Sequence, residues 1–319
     1  MIGCDISGGL GNQFFRYAFA RKLYEERKLA GVREEFVIND YAIDQHGFQG
    51  SLHDFNILPH KTVHSKRLVM EYGSVCQKMF YGLYIVLDRV NFMRNSKLGS
   101  LFVNGGGKSG VVISENPDDE ELSAPSCKLK RIFTHGSFEN VGYFKGIEPI
   151  LRKEFTPSHP ISDYNHSLYN IIKNSNSVFL GVRRGDFMQG ENRKIFYVCD
   201  RDYYQRAINY IKEHVTNPVF IVFSNDIPWT KHNLDIPGEV YYESGHDAVY
   251  ETFRLMYSCH HFIISNSTLH WWAQYRSENK NKIVVAPERW YNAPGWEEHL
   301  MLPYFVRLKT GVRNPYQEV

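Results

Sequence analysis

The stretch Ser177-Val178-Phe179-Leu180-Gly181-Val182-Arg183-Arg184-Gly185-Asp186-Phe187 decides the fold. Its apolar run is too short for a helix, is rich in Val and Phe, and ends abruptly on two arginines and an aspartate. A strand covered on both faces reads this way, because a parallel sheet flanked by helices has no solvent side. The residues that follow repeat the pattern. DYYQRAINYIKEH has helical periodicity, NPVFIVFSND and EVYYES read as strands, and DAVYETFRLMYSC as a helix. HFIIS is then a strand, NSTLHWWAQYRSE a helix and KIVVAPE a strand. This alternation predicts a doubly wound α/β unit.

The N-terminal half begins similarly. MIGCDI reads as a strand, SGGLGNQ as a loop and FFRYAFARKLYEERK as a helix, with Phe14/Ala18 and Phe15/Phe19 at i, i+4 and Leu23 continuing the face. EFVIND supplies a second strand. A helix over VCQKMFYGLYIVLDRVNFM, a strand over GVVISE and a solvated acidic loop at Pro117 to Glu121 follow. Turn formers gather in TPSHPISDYNHS, which places a boundary near Pro157 to Ser167. The expected fold class is therefore α/β, with two lobes (1–160 and 161–319) facing each other across a cleft.

Composition narrows the partners. At 319 residues the chain has 43% apolar and 23% charged residues, values of a soluble protein with a sizeable core. A net charge of +2 gives no long-range attraction to nucleic acid. Cys4, Cys76, Cys127, Cys199 and Cys259 form no CxxC pair, so buried free thiols in a reducing compartment are expected. Neither a signal peptide nor an apolar run of membrane-spanning length is legible, so a cytoplasmic protein is expected. Peripheral contact with the inner face of a membrane stays open.

Four segments carry candidate chemistry. Gly9, Gly11, Asn12 and Gln13 lie between strand and helix, where free N–H groups and side-chain amides can bond an anion or a hydroxyl. Phe14 stands where a dinucleotide fingerprint needs its third glycine, and the Lys-Ser/Thr of a Walker loop is missing. Arg183 and Arg184 lie beyond the carboxyl end of a strand, where open α/β sheets bind ligands. Successive residues of a strand face opposite ways, so one guanidinium is expected to reach a phosphate. The other is expected to be held by Asp186 or by a neighbouring strand. Ser224, Asn225 and Asp226 end the next strand and suit either a nucleoside or a turn. Asn266, Ser267 and Thr268 open the tryptophan helix, where they serve either as a cap or as a phosphate cradle. Trp271 and Trp272 are expected in the core. Asp200-Arg201-Asp202 spells a metal-binding D-x-D, but it directly precedes a helix and reads as its cap; no metal is expected. These features alone leave a nucleotide-cofactor oxidoreductase with a degenerate glycine loop, and a non-catalytic glycan-binding protein, as alternatives.

Taken in order, GGLGNQFFRYAFA, GYFKGIEPILRKEF, VRRGDF, VFSNDIPWTKHNL, FRLMYSCHHFIISNSTLHWW and APERWYN resemble the bacterial α-1,2-fucosyltransferases of glycosyltransferase family 11, over most of the chain. The resemblance implies a GT-B fold and inverting transfer of L-fucose from GDP-fucose to the 2-hydroxyl of a galactoside. It implies neither a cofactor nor a metal, and its acceptor is a galactose-containing oligosaccharide or glycolipid. It assigns Arg183 to the leaving pyrophosphate, with Arg184 and Asp186 shaping the same pocket. Ser267 and Thr268 would approach the phosphates, and Asn225 and Asp226 the nucleoside. Gly9, Gly11, Asn12 and Gln13 would face the donor from the other lobe. Three positions depart from the pattern. Gly181 replaces a histidine, His270 stands where a serine is usual, and Glu251 replaces an aspartate; the last two read as tolerated variation. Inversion also asks for a base at the acceptor hydroxyl, and Asp5, Asp40, Asp44 and His46 are N-lobe candidates.

Overall fold

The computed structural model describes residues 1–45, 47–48, 51–89, 102, 105–114, 128–292 and 299–312. His46, the side chain of Asp44, Cys127 and the acidic run 117–121 lie outside the described residues. The chain divides into two units, Met1–Glu154 and Phe155–Val319.

Unit 1 holds a five-stranded sheet of β1 (Ile2–Asp5), β2 (Phe36–Asn39), β3 (Lys61–Val63), β4 (Val111–Ser114) and β5 (Ile132–Gly136), in the order β3-β2-β1-β5-β4. Every pairing is parallel. The helix Leu10–Leu29 packs on this sheet through Phe14, Phe15, Ala18, Phe19 and Leu23, all buried as their spacing requires. Each of these phenylalanine and leucine side chains contributes roughly 1.5–3 kcal/mol by leaving water. This helix starts four residues before its expected first residue. The Gly9 carbonyl accepts the N–H groups of Asn12 and Gln13, at 2.9 and 3.2 Å, so Gly11, Asn12 and Gln13 form the first turn and not a loop. Glu154, at the end of the unit, accepts hydrogen bonds from Tyr17 Oη (2.6 Å) and Arg21 Nε (2.9 Å), and so ties the last helix to the first.

Unit 2 holds a six-stranded parallel sheet of β6 (Asn176–Val182), β7 (Pro218–Ser224), β8 (Val240–Tyr242), β9 (His261–Ile263), β10 (Val284–Pro287) and β11 (Val306–Leu308), in the order β11-β10-β9-β6-β7-β8. The expected α/β class is borne out in both sheets. β6 is buried along its whole length after Asn176. Val178, Leu180 and Val182 pack with Tyr203, Tyr204, Ala207, Ile208 and Ile211 of the helix Arg201–His214. Phe179 turns to the opposite face, its ring 5.2 Å from that of Phe223 and 5.0 Å from that of His270. Trp271 and Trp272 are fully buried, as expected, and Trp271 Nε1 donates to the Leu300 carbonyl at 2.8 Å.

β3, β5 and β11 escape the sequence reading. β3 and β11 are three-residue edge strands with exposed polar positions, too short for a period of two to stand out in the sequence. They exist because a neighbouring strand offers a free row of donors and acceptors.

Candidate functional site

From β6 the chain runs on one side through β7 to β8, and on the other side β9 lies next to β6. The topological switch point of unit 2 therefore falls between β6 and β9. Arg183 and Arg184 leave the carboxyl end of β6 there, and Ser265 to Thr268 leave that of β9. In open α/β sheets this is where ligands bind.

The two arginines do have different surroundings. Arg184 is 13% exposed. Its Nε donates to Asp226 Oδ2 at 3.2 Å and its guanidinium lies 3.8 Å from the centre of the Trp229 ring. Its backbone N–H donates to Asn225 Oδ1 at 2.9 Å. Arg184 is thus held by the turn after the neighbouring strand, and Asp186 goes to Arg183 instead. Arg183 is 40% exposed. Its Nη2 meets Asp186 Oδ1 at 2.8 Å, and its guanidinium sits 5.4 Å from the centre of the Phe187 ring. A guanidinium has five N–H donors, so one bond to an exposed carboxylate orients the fork and leaves most of its donors available to an anion.

The FSND turn is fully occupied in building this loop. Ser224 Oγ accepts the Asp226 N–H at 2.9 Å and Asp226 Oδ1 caps the helix Ile227–Asn233 by accepting from Trp229 N–H at 3.1 Å. Asn225 also explains Gly185. At φ +22° a Cβ on Gly185 would lie 2.3 Å from Asn225 Nδ2, so no side chain fits.

Asn266 is buried and caps nothing. Its Nδ2 donates to the carbonyls of Phe196 and Trp290, both at 2.9 Å. Asn292 Nδ2 similarly holds the carbonyls of Lys194 (2.9 Å) and Tyr197 (3.0 Å). Two buried amides thereby fasten the far end of the segment that begins at Arg183. Ser267 occupies the N-cap position of the helix Thr268–Arg276 without a side-chain cap bond, and both Ser267 and Thr268 are half-exposed. The first-turn N–H groups of that helix and two hydroxyls thus lie at the same strand-end edge as Arg183, an arrangement suited to a phosphate.

The sequence reading missed the polar groups beneath Arg183. The Arg183 N–H donates to Tyr204 Oη at 3.3 Å, and Ser265 Oγ lies 2.9 Å from His270 Nδ1. Burial, with the Arg183 charge adding to it, pushes the His270 imidazole down to about 3, so it is neutral near pH 7. The departure at His270 was the available signal.

In unit 1, Gln13 is buried: its Nε2 donates to the Gly8 carbonyl at 3.0 Å and its Oε1 accepts the Leu52 N–H at 3.2 Å. Gly11 is buried too, while Gly9 is exposed and Asn12 half-exposed. The switch point of this sheet falls between β1 and β5. Asp5, at the end of β1, accepts from Asn39 Nδ2 (2.7 Å) and pairs with His135 Nδ1 (3.2 Å). Asp40 instead meets His64 and His53. Asp200 caps its helix by accepting from Tyr203 N–H at 2.9 Å, as expected. Among the described residues no group of three or more His, Cys, Asp or Glu side chains is arranged to hold a metal. Cys4, Cys76, Cys199 and Cys259 are free thiols, and no described helix is long and apolar enough to cross a membrane.

Two parallel α/β sheets, one with an arginine and a helix N-terminus at its switch point, define a Rossmann-like α/β protein with an edge suited to an anion. Comparison with known sequences makes the class specific: the chain belongs to Glycosyl transferase family 11, whose sequence profile matches residues 1–306. It is 29% identical to the O-antigen biosynthesis glycosyltransferase WbnK of Escherichia coli over 91% of this chain and 95% of that one. It is 28% identical to an alpha-1,2-colitosyltransferase of Escherichia coli, over 91% and 92% of the two chains. The human galactoside alpha-(1,2)-fucosyltransferase 1 is 29% identical over 42% of this chain and 40% of its own length. Among solved structures, the fold is similar to that of fucosyltransferase NodZ from Bradyrhizobium, with a TM-score of 0.51 at 9% identity over 86% and 91% of the two chains. A mutant of Arabidopsis thaliana FUT1 in complex with GDP also gives a TM-score of 0.51, at 13% identity over 89% of this chain and 69% of that one. The protein is a glycosyltransferase, and the oxidoreductase and glycan-binding alternatives fall away.

Proposed function

We propose that this glycosyltransferase moves L-fucose from GDP-fucose to the 2-hydroxyl of a terminal galactoside, with inversion and without a metal. The half-exposed guanidinium of Arg183 at the switch point of unit 2 carries this reading. Breaking a sugar–diphosphate bond leaves charge on the diphosphate oxygens while the anomeric carbon becomes cation-like. Fixed donors aimed at those oxygens stabilise that separation, and such preorganised electrostatics is commonly the largest catalytic contribution. Arg183 supplies the charge, Ser267, Thr268 and the helix N-terminus supply neutral donors, and Asp186 orients the fork. Arg184, Ser224, Asn225, Asp226 and Asn266 hold the frame from which those donors project.

Unit 1 is assigned to the acceptor, with Gly9 and Asn12 the exposed part of its glycine turn and Gly11 and Gln13 fixing that turn from inside. The proton of the acceptor hydroxyl is assigned to Asp5 and His135. A carboxylate holding Nδ1 of an imidazole fixes its tautomer and leaves Nε2 to accept. The galactoside and α-1,2 linkage are supported by the human relative, and the GDP donor by the GDP complex of the structural relative.

The colitosyltransferase matches far more of the chain than the human fucosyltransferase does, which favours a second reading in which the donor sugar is colitose. The test is incubation with GDP-fucose or GDP-colitose and a panel of galactosides, followed by mass spectrometry and linkage analysis. A 2-O-linked fucosyl product is expected. Transfer of colitose alone would correct the donor, and no transfer to any galactoside would refute the reading.

A further inference from the structure

Gly181, on β6, and His270, on the helix Thr268–Arg276, touch each other. A Cβ built on Gly181 would lie 2.5 Å from His270 Nδ1 and 2.6 Å from its Cε1, closer than real Cβ atoms approach anything. The imidazole, on the helix Thr268–Arg276, fills the volume that a side chain on β6 would take, two residues before Arg183. It stands edge-on to Phe179, the preceding residue on that face of β6. Its Nδ1 lies 2.9 Å from Ser265 Oγ beyond the end of β9, the Tyr204 hydroxyl accepts the Arg183 N–H at 3.3 Å, and Tyr204, Ser265 and His270 are all buried.

We propose that the buried Tyr204 hydroxyl and the buried Ser265–His270 pair are positioning groups that fix the backbone from which Arg183 reaches the donor's diphosphate, and that Gly181 is the vacancy into which the imidazole locks. The inference rests on the reading of Arg183 as the diphosphate ligand. Tyr204 Oη accepts the Arg183 N–H directly, while Ser265 and His270 share a hydrogen bond beside Gly181, two residues earlier on β6. Together these groups join the ends of β6 and β9 to the two helices behind them, so they set the Arg183 backbone relative to the N-terminus of the tryptophan helix. The Arg183 side chain is held by an exposed ion pair with Asp186 and a ring contact with Phe187, both weak. Its direction therefore depends on what lies beneath it.

The experiment compares binding of GDP and of guanosine by calorimetry, with the thermal midpoint as control. Tyr204→Phe removes the hydroxyl that accepts from Arg183 and is expected to weaken GDP about fivefold to tenfold while leaving guanosine unchanged. Ser265→Ala serves if that variant does not fold. Gly181→Ala is expected to weaken GDP as well, but to add nothing in a His270→Ala background, since the collision is then gone. Equal loss for GDP and guanosine would reduce these groups to a structural role and overturn the proposal. Unchanged GDP binding in Tyr204→Phe, or additive effects of Gly181→Ala and His270→Ala, would also overturn it. Wild-type protein that binds no GDP would instead refute the diphosphate reading of Arg183, with which this inference falls.

Discussion

Lowering the pH from 7 to 5 should destabilise unit 2 through His270 in particular. In the unfolded chain this imidazole titrates near 6.5, whereas burial, aided by the Arg183 charge, brings it to about 3 in the fold. Between those values the unfolded chain binds a proton that the folded protein refuses. Stability is therefore fully present above about 6.5 and is lost as the pH falls towards 3. At pH 5 the unfolded imidazole is almost wholly protonated and the folded one almost wholly neutral. Relative to pH 7 the difference is about 2 kcal/mol. The groups that face it do not blur the signal. The Tyr204 hydroxyl is pushed further up by burial, and Ser265 does not titrate.

The assay is urea unfolding at pH 7 and pH 5 of the wild type and of His270→Asn, whose amide oxygen can accept from Ser265 but cannot take up a proton. All five tryptophans lie at position 229 or beyond, so their fluorescence reports unit 2 alone. His261, also lowered by burial, is present in both proteins and cancels. The wild type should lose about 2 kcal/mol more than the variant on acidification. Equal losses would refute a buried neutral imidazole at this position, whatever the absolute stabilities.

The two arginines should separate cleanly. Arg183→Ala should cut turnover by about two to three orders of magnitude while unfolding stability stays within about 0.5 kcal/mol, because it removes donors and an exposed ion pair. Arg184→Ala removes a contact with Trp229 and leaves Asp226 without its cation, so tryptophan-detected stability should fall by about 1–3 kcal/mol. The reverse ranking would mean the roles are exchanged. In unit 1, Arg21→Ala leaves the Glu154 carboxylate buried with Tyr17 as its remaining partner among the bonds described above; hydrogen exchange, which needs no tryptophan, should show a loss of about 3 kcal/mol. A chelator should leave transfer unchanged, and complete loss with EDTA would point to Asp200 and Asp202 as metal ligands after all.

Sequence periodicity was enough for the elements that bury a face. VFLGV and FIIS could not be stable anywhere but inside a sheet, and Phe14, Phe15, Ala18 and Phe19 define a helix by spacing alone, because burial of apolar surface is local to each element. The strand-end position of Arg183 was legible for the same reason, since it follows from where the apolar run stops. What periodicity could not give is which neighbours meet. The edge strands β3 and β11 form only because another strand is there to pair with. Gln13, Asn225 and Asn266 look equally suited to a ligand and to the backbone until the Gly8 carbonyl, the Arg184 N–H, and the carbonyls of Phe196 and Trp290 are brought beside them. Gly181 and His270 are 89 positions apart in the chain, and neither residue read singly points to the other. Only strand order places β9 against β6 and seats the imidazole in the vacancy. Hydrogen bonds and excluded volume act over a few ångströms of space, and distance along the chain does not encode them.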